Sequence, residues 1–308
     1  MISHFHYNKR CQVQWCIIYK LYQYLKKPGY NWYKADLMKG VRVLSLDVTG
    51  SLLIHKYPIM QTYLEAAHWA QLSNPPNRND LESAYKKSYK YHSLKYPCFG
   101  SNSGMPAREW WKRTAKMAFN DCGRYYSDSD FDRYFRRVYQ YYGTPDAYEI
   151  LPDVVDFLTW ASSVKNEDGT NRFILGITSN TPTRTVDTVL PMMKLHDYFK
   201  WFLCCEDTGC EKPHKDMFDI VYKTALQVLP SLQSPHEILH IGDSIAADFC
   251  GSKANGFQSI LLDRSDNPRV VVYQDWLNCV DYPGKTEEDL RKFTVKSLSD
   301  VRTMLSMH

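Results

Sequence analysis

Five short apolar runs, each closing on a polar or turn-forming residue, constrain this chain more than any other feature. Residues 41–46 (VRVLSL) end at Asp47, with Thr49-Gly50-Ser51 just beyond. Residues 172–177 (RFILGI) run into Thr178-Ser179-Asn180, and 199–204 (FKWFLC) form a weaker third run. Residues 238–241 (ILHI) run into Gly242-Asp243, and 258–262 end at Asp263. Apolar runs of this length bounded by turn signals read as buried strands. Between them lie amphipathic stretches at 154–164, 184–193, 216–228 and 245–254. Strands alternating with helices of this length predict an α/β fold, a parallel sheet covered on both faces. In such sheets ligands bind beyond the carboxyl ends of the strands. Asp47, Ser179 and Asp243 all fall there, so these three strand ends define the candidate site.

From about residue 57 to 142 the texture changes. Strand-like runs vanish and four helices are expected, at 57–72, 80–95, 107–122 and 127–142, separated by Pro, Gly, Asn or Ser. Acids in the first turns (Asp80, Glu82, Asp128, Asp130) suit helix starts. An all-helical block placed directly after the first strand reads as an inserted cap. The expected organisation is an N-terminal extension at 1–40, a Rossmann-like core at 41–56 and 143–308, and a helical cap at 57–142. After the last strand, 264–292 reads as loop-rich, and 297–307 as a helix packed back on the core.

Composition narrows the partners. A formal charge of +4 on 308 residues is too small, and too unclustered, to argue for nucleic acid. It leaves room for a small anionic substrate where basic side chains converge on one cleft. The apolar stretch at 15–25 is interrupted by Lys20 and Gln23, too short and broken for stable membrane insertion. The 9 cysteines have no paired spacing and do not read as a disulfide framework. Cys204, Cys205 and Cys210 followed by His214 could be drawn as zinc ligands, but zinc sites use spaced pairs, so ordinary thiols on a strand and its loop are the preferred reading. The compartment is read as reducing and intracellular, cytoplasmic or nuclear, with a mitochondrial address for the lysine-rich N-terminus as the alternative. No motif specifies an oligomeric state.

Four motifs in order resemble those of the haloacid dehalogenase superfamily. They are Asp47-Val48-Thr49-Gly50-Ser51-Leu52; Ser179 followed by Asn180; Lys212-Pro213; and Gly242-Asp243 followed by Asp248. Together they cover 41–265. The segment Tyr96-Pro97-Cys98-Phe99-Gly100 through Arg108-Glu109-Trp110-Trp111 resembles the cap of one subgroup with paired tryptophans. The resemblance implies Asp47 as nucleophile, Ser179 as a donor to a phosphoryl oxygen, and Lys212 as the cation that neutralises charge developing there. It also implies a magnesium ion held by Asp47, the backbone carbonyl of Thr49 and Asp243. Asp248 completes the acidic set, orienting waters or Lys212. Magnesium suits such a set because it prefers oxygen ligands. Asn180 and Arg108 are the candidate substrate contacts. Taken singly, Asp47, Asp243 and Asp248 could be helix caps, Ser179-Asn180 a turn, and Lys212-Pro213 a solvated loop. Their joint order argues otherwise.

The sequence departs from the family at Thr49, where typical phosphatases carry a second aspartate that protonates the leaving group. General acid–base help is worth about 10²–10⁴ in rate, so Thr49 predicts slow turnover or a long-lived phosphoenzyme. Three functions stay open at this point: a magnesium-dependent phosphomonoester hydrolase or phosphotransferase, a metal-independent dehalogenase-like hydrolase, and a catalytically silent anion-binding protein.

Overall fold

The computed structural model describes residues 38–267 and 279–306, so most of the expected N-terminal extension and the middle of the 264–292 segment lie outside the described residues. The core is a six-stranded sheet of β1 (Val43–Leu46), β4 (Ile174–Ser179), β5 (Phe202–Cys204), β6 (Ile238–Gly242), β7 (Gln258–Leu262) and β8 (Thr294–Val295). Its order is β5-β4-β1-β6-β7-β8, and every pairing is parallel. The chain therefore builds outward from β1 on one side, through β4 and β5, then crosses to the other side for β6 and β7. That reversal beside β1 is the topological switch point, where ligands bind in open parallel sheets.

All four residues of β1 are fully buried, as a central strand covered on both faces requires. Register then does the work of assembly. Leu46 lies opposite Ile177 on β4 and Ile241 on β6. The residues that follow, Asp47, Thr178-Ser179 and Gly242-Asp243, consequently leave the sheet along one edge.

Three strands were not expected from the sequence: β8 in the sheet and two outside it. β2 (Leu53–His55) and β3 (Tyr148–Ile150) form an antiparallel ribbon with Leu53 opposite Ile150. Three residues are too few to display an alternating pattern. The ribbon carries the whole helical block: α1 (Ile59–Trp69), α2 (Arg78–Lys95), α3 (Ala107–Asp121) and α4 (Asp128–Tyr141) all lie between its strands. Asn77 and Ser127 cap α2 and α4 by accepting from Asp80 N and Asp130 N, leaving fewer orphan donors in each first turn. The block has its own core, centred on Phe119, Phe131, Tyr134 and Phe135, separate from the larger core under the sheet. Trp110 is buried in a third cluster, with Cys98, Phe99, Cys205 and Met217, and donates its Nε1–H to the Tyr96 carbonyl at 2.9 Å.

The sheet is backed by α5 (Val154–Ser163), α6 (Lys215–Val228) and α7 (Leu298–Ser306). The loop-rich reading of 264–292 needs correction at its end, where Glu287–Lys292 is a helix. Thr286 caps it by accepting from Asp289 N, three acids sit in its first turn, and Arg291 and Lys292 in its last. Those are ordinary start and stop signals, and β8 follows directly.

Candidate active site

Lys212 organises the edge of the sheet. Its ammonium, 3 % exposed, donates to Asp47 Oδ1 at 2.8 Å, to the Thr178 carbonyl at 2.7 Å and to Asp248 Oδ1 at 2.5 Å. All three protons are thereby used. Burial alone would lower the lysine's pKa, but Asp248 and Asp47 outweigh it and hold the group above its ordinary value, charged. Asp248 is buried too, which would raise its carboxyl. Lys212 and the His240 hydrogen bond overcome that and hold it well below the usual carboxylate range.

A buried polar chain supports this arrangement from below. His240 Nε2 lies 2.9 Å from Asp248 Oδ1, His240 Nδ1 lies 2.9 Å from Ser45 Oγ, and Ser45 donates to Thr178 Oγ1 at 2.9 Å. Burial holds His240 below its ordinary pKa despite Asp248. Asp248 Oδ2 also accepts from Ser244 N at 2.9 Å, so both of its oxygens are committed to protein. Ser45 and His240 escaped the sequence reading because alternation marks them only as strand residues.

The remaining acids are less satisfied. Asp47 is raised by burial and by Asp248, and lowered by Lys212 and the Ser179 hydroxyl. Asp243 is raised well above its ordinary value by burial, then by Asp47 and Asp248. Oxygens of Asp47, Asp243 and Asp248 lie within 4.8 Å of one another. Three carboxylates thus face a single ammonium, an imbalance that a divalent oxygen-seeking cation would neutralise. Two glycines make the approach feasible. A Cβ on Gly50, whose φ is +89°, would stand 2.1 Å from Asp243 Oδ2, and one on Gly242 would stand 2.1 Å from the Asp248 carboxyl carbon. The Thr49 carbonyl accepts none of the backbone hydrogen bonds of this turn, and Thr49 is exposed.

Ser179 is buried and beside Asp47, and its Oγ also accepts from Thr181 N at 3.2 Å. Asn180 takes a different place from the expected substrate contact. Its Nδ2 donates to the Lys212 carbonyl and its Oδ1 accepts from Lys212 N, each at 2.8 Å. Both ends of the amide are spent clamping the backbone that carries Lys212. Arg108 is exposed on α3, its guanidinium 5.9 Å from the Tyr139 ring. Arg184, which the sequence reading passed over, stacks 4.0 Å from the same ring and donates to the Gln140 carbonyl. It joins the segment after Ser179 to the end of α4. Arg264, likewise missed, forms a bidentate pair with Asp153 at 2.9 Å for each bond and donates to the Ser51 carbonyl.

The haloacid dehalogenase-like hydrolase model matches residues 41–256. Among curated relatives, haloacid dehalogenase-like hydrolase domain-containing protein 3 of Xenopus laevis is 26% identical, covering 75% of this chain and 88% of its own. The protein of the same name from Homo sapiens is 24% identical over 72% of this chain and 82% of its own. Among solved structures, the HAD-hydrolase YfnB of Bacillus subtilis, bound to magnesium, aligns at a TM-score of 0.56 with 20% identity, covering 86% of this chain and 99% of that one. The 2-haloacid dehalogenase of Pseudomonas syringae aligns at 0.53 with 19% identity, covering 86% and 98%. At such identities the structural likeness speaks for the fold. No helix among the described residues is long and apolar enough to cross a membrane.

Proposed function

The chain belongs to the haloacid dehalogenase-like hydrolases, and from that premise we propose a magnesium-dependent phosphomonoester hydrolase or phosphotransferase that uses Asp47 as nucleophile. The observation that carries this reading is the charge imbalance at the sheet edge, three converging carboxylates against one lysine. A metal-free displacement would leave that excess negative charge facing an anionic substrate. Asp47, the Thr49 carbonyl and Asp243 would hold the ion, which when bound supplies Lewis-acid charge that lets a carboxylate approach a phosphoryl group. Asp248 supports from behind, since both its oxygens are already used. The magnesium bound by the Bacillus subtilis neighbour agrees with this choice of metal.

Lys212 holds Asp47 Oδ1 by its ammonium, leaving the other carboxylate oxygen to attack phosphorus and form an acyl-phosphate as the ester P–O bond breaks and the departing alkoxide takes its proton from solvent. Ser179 and Lys212 stabilise charge on the transferring group. Thr49 can neither protonate the alcohol nor activate the water that follows, so hydrolysis of the acyl-phosphate is the slow half. Substrates with good leaving groups are favoured. The helical block, read as a cap, excludes water and selects the substrate, a small phosphorylated molecule. The direct test incubates the purified protein with magnesium and a panel of small phosphoesters, with Asp47→Asn as control. Asp47-dependent, magnesium-dependent phosphate release supports the reading. Release equal in both proteins refutes it, as does turnover of a haloacid without metal.

A further inference from the structure

A second cluster of ligating groups lies outside this machinery. Cys98 follows α2, whereas Cys205 opens a short helix after β5 and Glu211 precedes Lys212. One ligand atom from each lies within 4.8 Å of the others. The cluster therefore straddles the boundary between the helical block and the sheet. Cys98 is 4 % exposed and Cys205 1 %, and both are free thiols. Cys98 and Phe99 hold φ values of 53° and 54°, a region that costs non-glycine residues energy and recurs at functional sites. The loop carrying them docks on the core through Asn102, whose Nδ2 donates to the Gly209 carbonyl at 2.8 Å. No hydrogen bond or ion pair engages the Glu211 carboxylate among the described residues, and burial raises its pKa. Beside the cluster is a cavity of about 90 Å³ between Tyr89, Phe99, Trp110 and Asn180, roomy enough for a water.

We propose that Cys98, Cys205 and Glu211 bind a thiophilic divalent cation, zinc above all, which pins the helical block to the core. Two sulfurs and one carboxylate oxygen are each accepted zinc donors, and a water can complete the tetrahedron. At about 2.3 Å to sulfur and about 2.1 Å to oxygen, the three protein ligands of a tetrahedral ion stand about 3.6–3.8 Å apart, so the present spacing needs only a small closure. Binding deprotonates both thiols, and their protons pass to solvent. A disulfide explains the observations less well, because it would leave Glu211 facing the pair without a role. The zinc reading of Cys204, Cys205, Cys210 and His214 had been set aside for want of spaced pairs. The second cysteine comes instead from the helical block, 107 residues earlier by number than Cys205.

The test uses the full chain, stripped with a chelator under reducing conditions and titrated with cobalt(II) in excess magnesium, then with zinc. One equivalent of cobalt should bind with a thiolate-to-metal charge-transfer band, and zinc should abolish that band. Cys98→Ser and Cys205→Ser should lose the band, and zinc affinity should fall about tenfold or more, since even partners one shell further out cost 10–100-fold. Glu211→Gln, which removes no hydrogen bond found among the described residues, should weaken zinc likewise and keeps the test decisive if a cysteine variant misfolds. Cys210→Ser and Asp243→Asn should keep the band, separating this site from the aspartates. A missing band in the wild-type chain overturns the proposal, and so does zinc binding indifferent to Cys98 and Glu211. A Cys98–Cys205 disulfide forming in air without metal uptake also overturns it. Asp47→Asn should retain the band, so failure of the phosphatase reading would leave this result untouched.

Discussion

The carboxyl edge of the sheet and the interior of the helical block are held by opposite means. At the sheet edge polar partners hold the buried charges: Lys212 uses three, and Asp248 accepts from Lys212, His240 and Ser244. In the helical block Phe119 packs edge-on against Tyr126, Phe131 and Tyr134, and the Tyr134 hydroxyl is buried with no hydrogen-bond partner. Charge pairs demand particular atoms at particular distances, whereas apolar contact demands volume and shape. The edge is therefore sensitive to the loss of a single polar atom, while the block responds to lost volume.

The sharpest way to probe that difference is to cut one polar atom at the edge. Asp47→Asn keeps the volume, so stability should change little while turnover falls by more than about 10⁴, as losing a nucleophile does elsewhere. Comparable turnover would mean that the edge is structural only. The opposite change is a gain. Thr49→Asp restores an acid at an exposed position and should speed steady-state phosphate release by about 10²–10⁴, with less phosphoenzyme trapped on acid quench. An unchanged rate would mean that acid catalysis is not the limiting deficit.

Stability should divide the two regions as well. Lys212→Met leaves Asp47 and Asp248 buried without their counter-charge and should cost about 3–5 kcal/mol in denaturant unfolding. Phe119→Ala, in the other region, should cost about 3–5 kcal/mol through the cavity it leaves. Hydrogen exchange should then lose protection first in α1–α4, with β1, β4 and β6 still protected. Equal loss everywhere would show that the regions unfold as one unit. The smallest effect belongs to the β2–β3 ribbon between them. His55, packed against Tyr142 and Tyr148, is pushed down to about 4 by burial. The folded chain keeps this ring neutral, while the unfolded chain protonates it near the ordinary value of about 6.5. Stability should thus fall as pH drops from about 6.5 toward 4, by up to about 1.4 kcal/mol per pH unit. His55→Phe should flatten that slope in pH-dependent melting, once the parallel contribution of His240 is common to both proteins.

The alternation of apolar runs with amphipathic stretches was enough to specify a parallel α/β sheet, because strand and helix periods are local properties of the chain. The strand ends were equally legible: Asp47, Ser179 and Asp243 stand next to their runs, so knowing the strands meant knowing the edge. The cap-like block was legible as texture through its helix breakers and first-turn acids. What tertiary structure alone decided are the partners. Nothing local ties His240 and Ser45 to Asp248, turns Asn180 inward onto the Lys212 backbone, sets Arg184 over Tyr139, or brings Cys98 to Cys205. Each depends on register and on packing between segments far apart in the chain. Periodicity reports which face of an element is buried, and the sheet order selects what that face meets.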